Sequence, residues 1–328
     1  MKRLSFFITL LAVISLACNA GQSQPTEVLV EPVETKPSET AAQPPLSEGS
    51  EGQSEAVLPS NEFDSSKLGA VEKDITYCTV DGVELKMDVY YPSENNGRFP
   101  VRMYVHGGGW SKGDKAQGAG AIEIPELQKA GFLVVSVNYR LAPEYVFPAM
   151  IEDVKCAVRS LRAHADEYNL DPNRIGVWGG SAGGHLVALL GTSDESAGFD
   201  VGEYLEYSSR VQAVVDMFGP TDLTVQFEGG YEGASRVFDG FDATLASPVT
   251  YVTADDPPFL ILHGEKDALV PIEQSEILLA ALQSVGVPAE LVPVVNANHS
   301  FKPDGGEISP SRREIAQLVV AFFEETLK

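Results

Sequence analysis

Three side chains in the second half of the chain, Ser181, Asp267 and His299, have the types and order needed to activate a serine hydroxyl. Such a hydroxyl is a weak nucleophile until an imidazole takes its proton, and the imidazole needs a carboxylate to orient it. Ser181 lies in Gly179-Gly180-Ser181-Ala182-Gly183. Because Gly-x-Ser-x-Gly also occurs in turns without chemistry, the flanking elements decide its meaning.

The elements around Ser181 are those that a nucleophilic serine requires. Residues Arg174 to Trp178 read as a buried strand and Ala182 to Leu190 as a helix. A serine in the sharp turn from strand to helix projects its hydroxyl, and the following helix N-terminus supplies free amides and a positive dipole end. We therefore expect Ser181 to be a nucleophile.

His299 is the best candidate for the base among the three histidines that follow Ser181. His185 is four residues further along the same predicted helix, which favours a structural role. His263 ends a predicted strand, Phe259 to Leu262, whereas His299 lies in the loop after another, Leu291 to Val295.

Asp267 is the best candidate for the acid, because it lies in the loop after the strand that His263 ends. Three other acidic residues, Asp255, Asp256 and Glu265, are weaker candidates. Asp255 and Asp256 precede the strand and therefore belong to its opposite end.

A glycine triplet offers donors for a developing negative charge. In His106-Gly107-Gly108-Gly109-Trp110, which follows a predicted strand, bare glycines let backbone N–H groups approach a ligand. Alone, the triplet would indicate a flexible loop. Together with Ser181 it predicts that Gly108, Gly109 and Ala182 donate to an oxyanion, while His106 is structural.

The spacing of apolar residues predicts an α/β fold. Residues Val71 to Tyr91 alternate around Asp81-Gly82, a strong hairpin signal. Strands and helices then alternate, which predicts a mostly parallel sheet covered by helices on both faces. Predicted helices include Pro148 to Tyr168 and Pro310 to Leu327, the latter capped by Ser309. In such sheets ligands bind at the carboxyl ends of the strands, where the glycine loop, Ser181, Asp267 and His299 all fall.

These motifs resemble the α/β-hydrolase superfamily, and within it the esterases and lipases related to hormone-sensitive lipase and to bacterial feruloyl and acetyl-xylan esterases. The resemblance runs from about Ile75 to Phe323 and includes Asn138 to Glu144 and Gly219 to Leu223. It implies an α/β-hydrolase fold, whereas the N-terminal hairpin and a small lid at residues 225–256 are expected from the sequence pattern itself.

The resemblance also implies roles for individual residues. Ser181, Asp267 and His299 match the catalytic triad, and Gly108, Gly109 and Ala182 match the oxyanion donors. Arg140 and Asp153 are expected to form a structural ion pair. Asn298 stands where glycine commonly precedes the histidine.

The reaction expected from these residues is two-step acyl transfer from a carboxylic ester, with short-chain acyl or aromatic esters as the substrate class. No cofactor and no metal is expected. Trp110, Met217, Phe218 and part of residues 225–256, a lid or pocket wall, are expected to line the pocket. An amide hydrolase with the same triad and a non-catalytic binding homologue remain as alternatives.

The N-terminus reads as an export signal. Residues 1–17 begin with two positive charges and continue with a short apolar run, and Cys18 follows as in bacterial lipoprotein signals. Cleavage as an ordinary secretory signal and an uncleaved anchor are alternatives. Residues 18–66 are polar and acidic and are expected to form a disordered tether, with the catalytic domain at 67–328. We expect an exported protein held at the membrane by its lipid anchor only.

The net charge of the expected domain disfavours a nucleic-acid partner. The chain carries −24; residues 1–17 contribute +2 and residues 18–66 contribute −8, which leaves −18 on the domain. Cys78 and Cys156 could pair in an exported protein, but two buried free thiols are the favoured interpretation. The sequence does not indicate the oligomeric state.

Overall fold

The computed structural model describes residues 63–94, 96–225 and 236–328. The expected signal, Cys18 and nearly all of the expected tether lie outside these residues, as does part of the expected lid. Phe63 packs edge-on against Phe99 at 5.5 Å, so the folded domain includes residues a few positions before Lys67.

The main sheet has eight strands in the order β1-β2-β4-β3-β5-β6-β7-β8. The first two pairings, β1 with β2 and β2 with β4, are antiparallel, and all the others are parallel. The strands are β1 (Val71–Val80), β2 (Val83–Tyr90), β3 (Phe99–Val105), β4 (Leu133–Val137), β5 (Leu170–Gly180), β6 (Ala213–Met217), β7 (Phe259–Gly264) and β8 (Ala289–Val294). The predicted hairpin followed by parallel strands is therefore present.

A second, two-stranded ladder lies near the end of the chain. It pairs β9 (Ala297–Asn298) with β10 (Lys302–Pro303), and the short 3-10 turn His299–Phe301 connects them. His299 therefore stands on a turn that is held by backbone pairing on both sides.

The β1–β2 hairpin forms where Asp81 and Gly82 predicted it. Val80 pairs with Val83, and both turn residues have positive φ, 51° and 83°. Asp and Gly tolerate this left-handed conformation, which matches the twist of the two strands.

Five α-helices flank the sheet in the described residues: α1 (Ile124–Lys129), α2 (Ala149–Ala163), α3 (Ala182–Thr192), α4 (Glu273–Ser284) and α5 (Arg312–Leu327). Helix α2 ends before the predicted Tyr168. The predicted cap of the last helix is wrong: Ser311, not Ser309, caps α5 in a reciprocal box with Glu314, because a capping serine must lie three residues before its glutamate. None of these helices combines the length and apolar character that crossing a bilayer requires.

The sheet separates two apolar layers. Successive residues of a strand point to opposite faces, so Val177 packs with one cluster and Trp178 with the other. Apolar residues of α2, α3 and α4 fill the first layer, and those of α1 and α5 fill the second. The central strands are buried on both faces, and this explains their continuous runs of Val, Leu and Ile.

Cys78 and Cys156 form a disulfide, so the favoured interpretation of two free thiols is wrong. Their Cα atoms lie 6.5 Å apart, which links β1 to α2. Both side chains are buried as expected, but their proximity depends on the packing of α2 against the hairpin, and no local pattern reports it.

The second half of the expected lid lies in the described residues 236–256. It contributes Phe238 and Phe241, whose rings contact the ring of Phe147 at 5.1 and 4.7 Å. This aromatic cluster anchors the segment to the domain beside α2.

Candidate active site

Ser181 lies at the turn between β5 and α3 with φ 59° and ψ −121°. A positive φ is costly for a residue with a side chain, and the turn is held by the Ser181 N–H, which donates to the Met217 carbonyl at 2.9 Å. A Cβ at Gly179 would lie 2.5 Å from the Gly183 carbonyl oxygen, and one at Gly183 would lie 2.1 Å from the Val105 oxygen. The glycines of the motif are therefore required by the closeness of the surrounding backbone.

The structure brings Ser181, His299 and Asp267 into one hydrogen-bonded chain. His299 Nε2 lies 3.0 Å from Ser181 Oγ, and His299 Nδ1 lies 2.7 Å from Asp267 Oδ2. The other carboxylate oxygen, Oδ1, accepts the N–H groups of Leu269 and Val270, both at 2.9 Å. The carboxylate is thereby oriented so that Oδ2 faces the imidazole.

His263 supports the loop that carries Asp267, a role that the sequence did not suggest. Its Nε2 lies 2.8 Å from the Val270 carbonyl, which can only accept, so Nε2 carries the proton. Its Nδ1 then accepts from the Ser275 hydroxyl at 2.6 Å. Burial lowers the pKa of His263, which favours this neutral form. The only sequence signal was its position four residues before Asp267.

The glycine loop approaches the nucleophile closely enough to serve as an anion site. A Cβ at Gly107 would lie 2.6 Å from the Gly180 oxygen, and Gly108 and Gly109 have φ values of 117° and 61°. Among the described residues, no backbone carbonyl accepts the N–H of Gly108 or Gly109. Ala182 is the first residue of α3, where the helix offers its N–H no acceptor. These three N–H groups are available to an oxyanion beside Ser181.

A cavity of about 620 Å³ opens over Ser181 and His299. Trp110 and Phe218 line it, as predicted. The prediction for Met217 is wrong: its side chain does not line the cavity but packs in the core on the α1 and α5 side. Phe218 follows the last residue of β6, has a φ of 45°, and reaches both that core and the cavity. Met217 contributes its carbonyl to the Ser181 turn instead.

Trp110 is held in place by His185, which has the structural role expected for it. The indole Nε1 donates to His185 Nδ1 at 3.2 Å, and His185 Nε2 donates to the Ala246 carbonyl at 2.8 Å. Burial lowers the pKa of His185 to about 4, so the ring is neutral and can accept from the indole. The ring of Phe238 contacts Trp110 at 5.0 Å, so the described part of the expected lid supports the cavity wall from behind.

Two further structural expectations agree with the geometry. Arg140 and Asp153 form a buried ion pair, with Arg140 Nη2 2.8 Å from Asp153 Oδ1 and the Arg140 N–H donating to Oδ2 at 2.8 Å. His106 stacks on Tyr139, with ring centroids 4.3 Å apart, and its Nδ1 lies 2.7 Å from the Gly107 carbonyl. The His106 contacts stabilise the base of the glycine loop, whereas the ion pair joins the segment after β4 to α2.

Asp216, which no sequence motif indicated, is a buried carboxyl that packs against α3, the helix that follows Ser181. Its Oδ1 accepts the Gly219 N–H at 2.9 Å, and a Cβ at Gly184 would lie 2.4 Å from this oxygen. Complete burial raises the pKa of Asp216 to about 7, because the interior does not solvate its charge. Near neutral pH this side chain therefore exchanges a proton.

Among the described residues, no group of three or more His, Cys, Asp or Glu side chains could hold a metal ion. The described groups of the cavity that can act on a substrate are the imidazole of His299, the hydroxyl of Ser181 and the N–H groups of Gly108, Gly109 and Ala182.

Comparison with known proteins agrees with this architecture. The family model BD-FAE matches residues 87–282. Two curated proteins of Mycobacterium tuberculosis strain H37Rv are similar: "Probable carboxylic ester hydrolase LipM", 34% identical over 66% of this chain and 52% of that protein, and "Esterase LipQ", 36% identical over 62% and 51%. The chain thus spans about half the length of these curated relatives.

Solved structures cover the domain more fully. A "Truncated form of carbohydrate esterase from gut microbiota" superposes with a TM-score of 0.67 at 29% identity, over 79% of this chain and 97% of that one. "Thermogutta terrifontis esterase 2 phosphorylated by paraoxon" has a TM-score of 0.67 at 28% identity, over 78% and 94%. The chain has the α/β-hydrolase fold and belongs to the BD-FAE family.

Proposed function

We propose that this chain is a carboxylic ester hydrolase that acts through an acyl-enzyme formed on Ser181. The observation that carries the proposal is the hydrogen-bonded chain from Ser181 through His299 to Asp267, next to the N–H groups of Gly108, Gly109 and Ala182, which no backbone carbonyl of the described residues accepts. The similar proteins described as esterases support it.

The proposed reaction has two steps. His299 Nε2 takes the Ser181 proton while Oγ attacks the ester carbonyl, and the Gly108, Gly109 and Ala182 N–H groups stabilise the negative oxygen. His299 then gives the proton to the leaving alcohol, and an acyl-enzyme remains. Water, deprotonated by the same imidazole, attacks the acyl-enzyme, releases the acid and restores Ser181.

The substrates that we propose are short-chain acyl or aromatic esters. A cavity of about 620 Å³ lined by Trp110 and Phe218 has room for a small acyl chain or an aryl group, and its rings offer apolar contact. Display of the catalytic domain at the cell surface would suit the release of such groups from extracellular polymers.

A fluorophosphonate probe tests the nucleophile. We expect labelling of the wild type, loss of labelling in Ser181→Ala, and unchanged labelling in Ser284→Ala, whose serine is exposed at the end of α4. Absence of labelling in the folded wild type would favour a non-catalytic binding protein.

A matched pair of substrates tests the reaction class. We expect p-nitrophenyl acetate to be hydrolysed with a kcat/KM far above that of p-nitroacetanilide, in a manner dependent on Ser181. Comparable rates on the two would instead assign the chain to amide hydrolysis, the alternative reaction for this triad.

We also propose that the chain is exported and lipidated at Cys18. The disulfide between Cys78 and Cys156 supports export, because such bonds persist in oxidising compartments. The test is incorporation of a labelled fatty acid, which we expect in the wild type and not in Cys18→Ala. Secretion of an unlipidated chain would contradict lipidation at Cys18.

A further inference from the structure

The cavity over Ser181 has an unusual charge for this protein. Lys112 and Lys302 both line it, and no carboxylate of the described residues does. The whole chain carries −24, with 47 acidic residues against 23 Lys and Arg. Positive charge is thus scarce in the chain, yet two lysines lie at its candidate active site.

Neither lysine is engaged elsewhere within the described residues. Both side chains are exposed, and no hydrogen bond or ion pair joins the ammonium group of Lys112 or Lys302 to another described residue. By contrast, Lys86, Lys115 and Lys129 each pair with a carboxylate. The two cavity lysines are therefore free to interact with a ligand.

The backbone fixes where these lysines begin. Lys112 follows the glycine loop, and its N–H donates to the Gly108 carbonyl at 3.2 Å. Lys302 pairs with Asn298 in the β9–β10 ladder, which encloses His299. One lysine therefore stands next to the oxyanion donors and the other next to the triad imidazole.

Lys302 lies close in the chain to His299, the residue that would protonate the leaving alcohol of an ester. In the proposed reaction His299 Nε2 protonates the leaving oxygen, so that oxygen must lie within hydrogen-bonding distance of Nε2. A substituent on the leaving alcohol extends from this point, and Lys302, three residues beyond His299 in the chain, lines the same cavity.

We propose that this cavity selects esters that carry a carboxylate or similar anionic group on the alcohol portion, with Lys302 as its main partner and Lys112 as a second positive charge. This inference rests on the proposed ester hydrolase function and specifies its substrate class. Because both lysines are exposed, we expect Lys302 to contribute about a threefold preference and Lys112 a smaller one. Salt screens both charges over a Debye length of ~8 Å at physiological ionic strength.

A pair of aryl acetates of similar size and different charge tests the proposal. The measurement is the ratio of kcat/KM for 4-acetoxybenzoate to that for 4-acetoxybenzamide. We expect a ratio above one in the wild type, a fall of about threefold in Lys302→Gln, a smaller fall in Lys112→Gln, and a larger fall in Lys302→Glu. Addition of 0.5 M NaCl should lower the wild-type ratio in the same direction.

Lys73 provides the matched control. It is exposed on β1, its ammonium group makes no hydrogen bond or ion pair with another described residue, and it lies outside the cavity. Lys73→Gln removes the same charge from the protein and should leave the ratio unchanged. An equal fall in this variant would show a general effect of net charge and would overturn the proposal.

A second substrate pair distinguishes the two halves of the ester. Mono-p-nitrophenyl glutarate and its neutral carboxamide analogue carry the difference in charge on the acyl portion. A lysine-dependent preference confined to this pair would contradict the assignment to the alcohol half, and a preference confined to the benzoate pair supports it.

The proposed function and this inference fail in different ways. If 4-acetoxybenzamide is not hydrolysed in a Ser181-dependent manner, the ester hydrolase function fails. If it is hydrolysed but both lysine variants keep the wild-type ratio, only the substrate class fails.

Discussion

Replacing Asp267 with asparagine tests the role of the carboxylate in the triad, because the orientation of the new amide decides which nitrogen of His299 carries the proton. Oδ1 of Asp267 accepts two N–H groups, from Leu269 and Val270, and Oδ2 faces His299 Nδ1. In Asp267→Asn the amide oxygen must take the place of Oδ1, because only an oxygen can accept the two N–H groups. The NH₂ group then takes the place of Oδ2 and faces the imidazole. His299 Nδ1 must then accept, so its proton moves to Nε2 and the base toward Ser181 is lost.

The size of the loss in kcat follows from the free-energy cost of the opposite orientation of the asparagine amide. Turning the amide over would restore the productive tautomer, but it would place NH₂ against two N–H donors. Leaving those donors unsatisfied costs about 2–6 kcal/mol, so the productive form is rare. We therefore expect kcat to fall by roughly 30-fold to 10⁴-fold, and triads with the wrong tautomer lose about 10⁴.

The assay is hydrolysis of p-nitrophenyl acetate, with the rate of fluorophosphonate labelling as a second readout of the same nucleophile. Asp255→Asn is the control, since Asp255 is the exposed partner of Arg210 and a weaker candidate for the acid. Because the introduced amide oxygen still accepts both backbone N–H groups, Asp267→Asn should fold normally and its circular dichroism should not change. Retention of more than about a third of the wild-type kcat in Asp267→Asn would refute this reasoning.

Three further predictions concern stability. Asp216 has a pKa of about 7 in the folded protein, above its ordinary 3.8, so the stability that its protonated carboxyl contributes is complete below about pH 4 and is lost at about 1.4 kcal/mol per pH unit up to pH 7. Asp216→Asn should remove this pH dependence of the unfolding free energy, measured by urea unfolding from about pH 4 to about pH 8. Identical slopes in the variant and the wild type would contradict the assignment. Opening the disulfide by Cys78→Ala with Cys156→Ala should lower the unfolding free energy by roughly 4 kcal/mol, given the separation of 78 residues, and an unchanged urea midpoint would be inconsistent with the bond. Trp110→Phe leaves the buried His185 Nδ1 without its donor and should cost about 1–3 kcal/mol by the same method, whereas a neutral effect would mean that the indole bond does not hold the cavity wall.

The sequence by itself determined the features that local chemistry controls. Asp81-Gly82 specified the hairpin because few other residue pairs accept two positive φ values. The glycines around Ser181 predicted the sharp turn because only bare backbone fits there. Because Asp267 and His299 both follow parallel strands, their meeting with Ser181 could also be predicted.

Only the tertiary structure decided features that depend on packing between distant segments. The partner of Cys78 lies on a helix, and no spacing rule brings Cys156 to it. Met217 and Phe218 are neighbours in sequence and pack in the same apolar layer, yet only Phe218 lines the cavity, because it lies just beyond the end of β6 with a φ of 45°. Lys112 and Lys302 likewise line one cavity because the chain returns to the same sheet edge, which brings together residues that are far apart in sequence.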